Sequence, residues 1–336
     1  MAVDETLASL SNQLVYSAML VYTGALGAYA VDLSSRGGSR RGESAVAEPA
    51  LVAADGSPLP GASSPGASRL GAGPQPEVAP AIDRSRAGGI AVALTWLAFA
   101  LHLGGVVARG ASVGRAPWGN MYEFAVSGAV VVTGVFLVVL SRRDIRYLGT
   151  FVVGPVLLTL GLAVAVLYTR ASQLVPALQS FWLVIHVSVA FVASALFTLA
   201  FSTTVLQLVQ ERRELGRSAG REQRRGRFMD AMPSSVDLER SSYRLHVVAF
   251  PLWTFTVMAG AIWAEAAWGR YWNWDPKEVW SFVIWVVYAS YLHARATRGW
   301  DGRRSAYLAL AGYACILFNF LVVNIFFVGL HSYSGV

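Results

Sequence analysis

Eight runs of about twenty apolar residues restrict this 336-residue chain to one kind of structure, a bundle of helices in a lipid bilayer. They are Gln13–Val31, Gly88–Ala108, Met121–Leu140, Leu148–Leu167, Phe181–Leu206, Val247–Ala267, Trp280–Ala296 and Ala306–Leu330. The seventh is the shortest. At 55% hydrophobic and 14% charged residues, with a mean hydropathy of +0.48, the chain lies outside the soluble range. We therefore expect an all-α, polytopic integral membrane protein of about eight transmembrane helices, with no strands and no internal repeat. The first run lacks a basic leader and is followed by polar sequence, so it reads as a retained helix and not a cleaved signal.

Basic residues alternate between loops. Arg36, Arg40, Arg41, Arg84 and Arg86 separate the first two runs, and Arg142, Arg143 and Arg146 the third and fourth. Seven arginines between Arg212 and Arg227 follow the fifth, and Arg295, Arg298, Arg303 and Arg304 divide the last two. The positive-inside rule makes these loops cytoplasmic together. Loops Arg109–Asn120, Tyr168–Ser180 and Trp268–Trp280, with both termini, then face outward. The net charge of +7 is a topological signal, with contact to anionic lipid as a second use, and nucleic-acid binding is disfavoured. Residues 1–33 form the first helix. Residues 34–87, rich in Gly, Ala, Ser and Pro and without aromatics, read as a flexible cytoplasmic linker. Residues 88–336 form a seven-helix membrane domain. The single cysteine, Cys315, lies inside the last run and permits no internal disulfide.

The stretch Trp268–Trp280 carries the chemistry. It holds Trp268, Tyr271, Trp272, Trp274 and Trp280 beside Arg270, Asp275, Lys277 and Glu278, and Lys277 is the only lysine in the protein. A cation-rimmed aromatic platform at a membrane surface suits a flat, apolar, anionic ligand such as haem. Trp268, Trp272 and Trp274 would cover one macrocycle face, whereas an interfacial aromatic belt accounts for Tyr271 and Trp280. Arg270 and Lys277 are candidate partners of propionates. Asp275 and Glu278 would fix those cations, receive a peptide or cap the next helix, since Asp275-Pro276 is a good Ncap–N1 pair. Glu123, Glu265, Asn319 and Asn324 read as interhelical hydrogen-bonding groups.

Two histidines share the depth of this stretch. His186 lies five residues into the fifth helix and His331 just beyond the eighth, so both are candidate axial ligands of one haem iron. His293 lies about 21 Å further in, 14 residues beyond Val279. It is either structural or part of a second, inner station. His102 and His246 read as packing residues, with His246 able to face His293.

The run WGRYWNWDPKE (Trp268–Glu278) resembles the WWD signature of haem-handling proteins. With PALQSFWLVIHVSVAF around His186, WVVYASYLHAR at His293, NFLVVNIFFVGLHSYSG at His331 and GNMYEF at Gly119–Phe124, it resembles the CcsA/ResC type of System II cytochrome c synthase, labelled CcsB in some lineages. The likeness covers about residues 88–336 and makes these the cytochrome c assembly domain. It implies a cell-membrane subunit of a haem-lyase complex that carries b-type haem transiently and presents it outside to apocytochrome c. There the CxxCH thiols would form thioethers. It further implies a ResB-type partner that supplies the second inner ligand, and thioredoxin-like proteins that reduce the apocytochrome. His186 and His331 become the external ligands and His293 the intramembrane one, with no acid–base catalyst assigned. Lyase activity of the chain by itself stays open. The rival is a haem exporter or carrier that hands haem to a chaperone without making a thioether. Arginine preferred to lysine, with abundant Ala, Gly and Val, points to a bacterial plasma membrane.

Overall fold

The computed structural model describes residues 3–46, 84–173, 178–220 and 227–331, and all regular structure among them is helical. Helix α1 is Glu5–Val46, α2 Arg84–Val113, α3 Met121–Arg142 and α4 Gly149–Ala165. Helix α5 is Phe181–Ser218, α6 Ser235–Trp268, α7 Pro276–Arg298 and α8 Gly302–Leu317. A π turn, Phe318–Val323, continues α8 as far as Phe326. Part of the expected linker is helical, because α1 runs to Val46; residues 47–83 of it lie outside the described residues.

Seven of the helices, all but α7, are long and apolar enough to cross a membrane. Helix α7 differs in polarity, since it carries Lys277, Glu278, His293, Arg295 and Arg298. Its 23 residues still reach about 34 Å, enough for a hydrocarbon core. Its contacts show that it uses that reach. Asp275, its N-cap, meets Leu330 and His331 at the end of the last helix, while Arg295 near its other end meets Glu239 of α6 and Ser305 of α8.

Successive helices run antiparallel, which sorts the loops onto two ends. At one end the Asp4 amide meets the Ser112 carbonyl at 2.9 Å, and Arg109 pairs with Glu123 at 3.0 Å. The aromatic stretch and His331 share this end with the α4–α5 loop, whose Ser172 carbonyl accepts from Arg115. The opposite end collects the arginines. There Arg146 binds Asp144 at 2.6 Å, Arg213 binds Asp230 at 3.2 Å and Arg303 binds Glu211 at 3.1 Å. The charge alternation in the sequence is thus a separation in space.

Aromatic and small residues fill the interior. Tyr22, Tyr29, Phe136 and Leu160 centre the packing of α1 to α5, while Phe197, Trp253, Ile284 and Tyr288 join α5, α6 and α7. Phe197 stacks on Tyr288 with centroids 3.9 Å apart. Helices α5 and α6, with 38 and 34 residues, outrun any hydrocarbon core and extend together beyond the arginine-rich end. Their protruding turns are pinned where Glu214 accepts from the Ser235 amide at 3.1 Å.

Candidate functional site

A partly open cleft of about 210 Å³ lies at the arginine-poor end. Five segments wall it: the turn Trp118–Asn120 with the start of α3, the first turns of α5, the last third of α6, the start of α7, and the terminal helix with His331. Both His186 and His331 line it.

Each imidazole is held by its Nδ1. His186 Nδ1 lies 2.9 Å from the Thr256 carbonyl oxygen of α6. A carbonyl can only accept, so Nδ1 carries the proton and Nε2 keeps its lone pair. The ring rests on Gly260, where a Cβ would come within 2.8 Å of it. Only glycine allows this approach of α5 to α6. His331 Nδ1 lies 2.7 Å from Asp275 Oδ1, and a carboxylate likewise orients the proton at Nδ1. Both histidines therefore have the tautomer of a metal ligand whose second nitrogen is anchored. Trp263, 2% exposed, touches both rings. It stacks on His186 at 6.0 Å and meets His331 edge-on at 5.3 Å.

Asp275 has a double task. As N-cap of α7 its Oδ1 accepts from the Lys277 amide at 3.0 Å, within a capping box completed by Glu278. It also binds His331, and its Oδ2 accepts from the Leu330 amide at 2.6 Å. Gly329 packs so closely on this carboxylate that no side chain fits there. Burial opposes ionisation of Asp275, but the hydrogen bond from His331 and the Lys277 and Leu330 backbone N–H groups outweigh it, holding the carboxyl below its usual value.

The loop before α7 is shaped by two left-handed residues. Gly269 (φ 71°) ends α6, its amide bound to the Glu265 carbonyl at 2.8 Å. Trp274 also has a positive φ of 58°, which for a bulky side chain costs about 1–2 kcal/mol. Glu278 Oε2 stabilises this bend by accepting the amides on either side, Asn273 at 2.8 Å and Asp275 at 3.1 Å.

The sequence-predicted residues divide on this geometry. His186, His331, Trp272, Lys277 and Glu278 line the cleft. Asp275 stands behind His331, and Trp268 packs edge-on against His331 at 4.9 Å and Trp263 at 4.7 Å. Trp274 is 76% exposed and leans on Trp272 at 5.9 Å, while Arg270 is exposed and outside the lining. His293 is exposed on the flank of α7, far from the cleft. His246 packs on Tyr288 and Tyr291 of α7 and is held by the Ser242 carbonyl at 2.9 Å; those two tyrosines are its α7 ring contacts, in place of His293. His102 is buried beside Tyr22.

Sequence reasoning missed three parts of this wall. Thr256, Gly260 and Trp263 follow helical spacing on one face of α6, but in a run apolar on every side that spacing has no contrast. Of Asn319 and Asn324, read as helix-joining groups, Asn319 does reach Ser281 of α7 at 3.4 Å and Asn324 bonds within its own helix to the Phe320 carbonyl; both also line the cleft. Glu123, read the same way, is a buried ion-pair hub. Its Oε1 takes Arg109 Nε at 3.0 Å, and its Oε2 takes Arg115 Nη1 at 2.8 Å and the Gly119 amide at 2.9 Å. Arg109 and Arg115 reach on to the Thr169 and Ser172 carbonyls. The hub fixes the Trp118–Asn120 wall to the α4–α5 loop.

The family model for cytochrome C assembly proteins matches residues 118–331, which includes this entire wall. The chain belongs to that family. It is 33% identical over 254 residues to the cytochrome c biogenesis protein CcsA of Porphyra purpurea, covering 66% of this chain and 79% of the relative. It is 34% identical over 268 residues to CcsA of Synechococcus elongatus, covering 68% and 82%. Among solved structures, the cytochrome c haem lyase CcmF shares the fold at a TM-score of 0.58 and 16% identity. That match covers 95% of this chain but only 47% of CcmF. The family member is thus a polytopic helical membrane protein of cytochrome c biogenesis, with the aromatic segment at its arginine-poor end.

Proposed function

We propose that this protein is the membrane subunit of a System II cytochrome c synthase, which brings haem across the plasma membrane and displays it outside for attachment to apocytochrome c. The observation that carries this reading is the paired anchoring of His186 and His331 in one cleft, each by Nδ1. His186 and His331 would hold a haem iron through the Nε2 lone pairs that this anchoring leaves free. Bound haem would supply the vinyl groups that accept the CxxCH thiols.

The chain's own groups then act by position. Asp275 and Thr256 hold the imidazoles, and Trp263 and Trp272 provide apolar faces that exclude water. Lys277 is the cation nearest a ligand carboxylate. The cleft is partly open, so a haem held by these residues would be within reach of an incoming peptide. Orientation follows the arginines, with their end cytoplasmic and the cleft external. His293, exposed on α7, faces a ResB-type partner and serves an inner haem station with a ligand from that partner. Thioredoxin-like proteins keep the apocytochrome thiols reduced.

Holocytochrome formation in a heterologous host tests this. With the partner subunit, wild type is expected to give covalent haem on a CxxCH cytochrome, and His331→Ala is not. Haem export to a chaperone with no thioether product in either case would support the carrier reading instead.

A further inference from the structure

The two anchored imidazoles are not held alike. His186 lies in the second turn of α5, where its helix neighbours Leu183 and Val187 are 6% and 7% exposed and pack with Phe191 and Trp263. Its Nδ1 proton goes to a backbone carbonyl within α6, and its ring lies against Gly260 of the same helix. Moving this ring far means parting two long, closely packed helices.

His331 has a different support. Residues 327–331 are not helical, and the approach to them is open, with Phe326 74% and Val328 94% exposed. One side chain on another helix bears much of the hold. Asp275 takes His331 Nδ1 at 2.7 Å and the Leu330 amide at 2.6 Å, and Gly329 lies against it. Trp263 and Trp268 add edge-on ring contacts. Local opening is easiest where apolar burial and backbone pairing are sparse. Release of His331 gives up these local contacts, whereas release of His186 disturbs the packing of α5 on α6.

We infer that His331 is the exchangeable iron ligand and His186 the permanent one. The CxxCH segment brings an imidazole of its own, and residues 327–331 swing outward to give it the place of His331. One nitrogen–iron bond breaks and one forms, with no net change in protons or electrons. His186 stays bound throughout. The inference deepens the haem reading and rests on it.

Hydrogen exchange of the purified full chain in nanodiscs, read by mass spectrometry, tests this. A cytochrome peptide with AxxAH in place of CxxCH can bind without being joined, and one with AxxAA lacks the imidazole as well. Haem is expected to protect both residues 327–331 and residues 181–190. Adding the AxxAH peptide should then remove protection from 327–331 and leave 181–190 protected, and the AxxAA peptide should change neither. In haem-free protein, Asp275→Asn should speed exchange in 327–331 and leave 181–190 as in wild type. Opening of 181–190 with the AxxAH peptide, or no opening of either segment, overturns the inference and leaves the haem reading standing. Unchanged exchange in Asp275→Asn overturns the tether on which it depends. Failure of wild type to take up haem is seen before any peptide is added, and overturns both.

Discussion

Asp275 donates no proton yet controls one: its Oδ1 lies 2.7 Å from His331 Nδ1 and fixes which nitrogen of that ring faces the cleft. The same carboxylate begins α7. Helix start and imidazole orientation are therefore one structural event, and they can be separated by mutation. Asn is as good an N-cap as Asp, so Asp275→Asn keeps the helix while losing the charge behind His331. Loss of such an outer partner typically weakens metal binding about 10–100-fold. Haem titration of the purified variant is expected to show a drop of that order with unchanged helicity, and unaltered affinity would reduce Asp275 to a cap.

Acid should act through the same contact. The folded carboxyl of Asp275 is held below the unfolded value of about 3.9. Its stabilisation is thus fully present above that value and is lost as pH falls through the lower folded one. Thermal melts in detergent between about pH 6 and 3 are expected to decline on the acid side. Asp275→Asn should lower the plateau and flatten that decline, and parallel curves for the two proteins would contradict the assignment.

Much of this was legible beforehand. Hydrophobic run length gave the helices, and the arginine loops gave the two ends, because both depend on local composition. His186, His331, Lys277 and Glu278 stood out by residue type in apolar surroundings. What stayed hidden depends on packing between distant segments. Gly260 is an unremarkable glycine until His186 is seen against it, 74 residues away in sequence. Asn324 and Asn319 meet one cavity only through a π turn, which no periodicity announces. Glu123 does join helices, through Arg109 of α2, but its second partner, Arg115, lies in the loop between α2 and α3, where sequence spacing gives no sign of the pairing.

Gly260→Ala tests the close approach of α5 and α6. The added methyl would come within 2.8 Å of the His186 ring, so ring or helix must shift. Overpacking of this kind costs about 1–3 kcal/mol. The melting temperature is expected to fall, and the absorbance of added haem to shift with it as His186 is displaced. Wild-type haem spectra in Gly260→Ala would show that the ring has room to move.

Glu123 and Asp144 offer a contrast in ion pairs. Glu123 is fully buried between Arg109 and Arg115, whereas Asp144 is half exposed beside Arg146. Removing one member of a buried set leaves unpaired charge and costs about 3–5 kcal/mol, while a surface pair contributes about 0–1 kcal/mol. Glu123→Gln should therefore destabilise severely in denaturant unfolding and Asp144→Asn hardly at all. Similar values for both would mean that the arginines find other partners.

The most direct measurement is the visible spectrum of purified protein supplied with haem. Wild type is expected to show the sharp Soret band of iron held by two imidazoles. His186→Ala and His331→Ala should each lose that signature at the outer site, with His293→Ala changing only the total haem loaded beside its partner. An unchanged spectrum in both His186→Ala and His331→Ala would contradict the central claim that these two residues grip one haem.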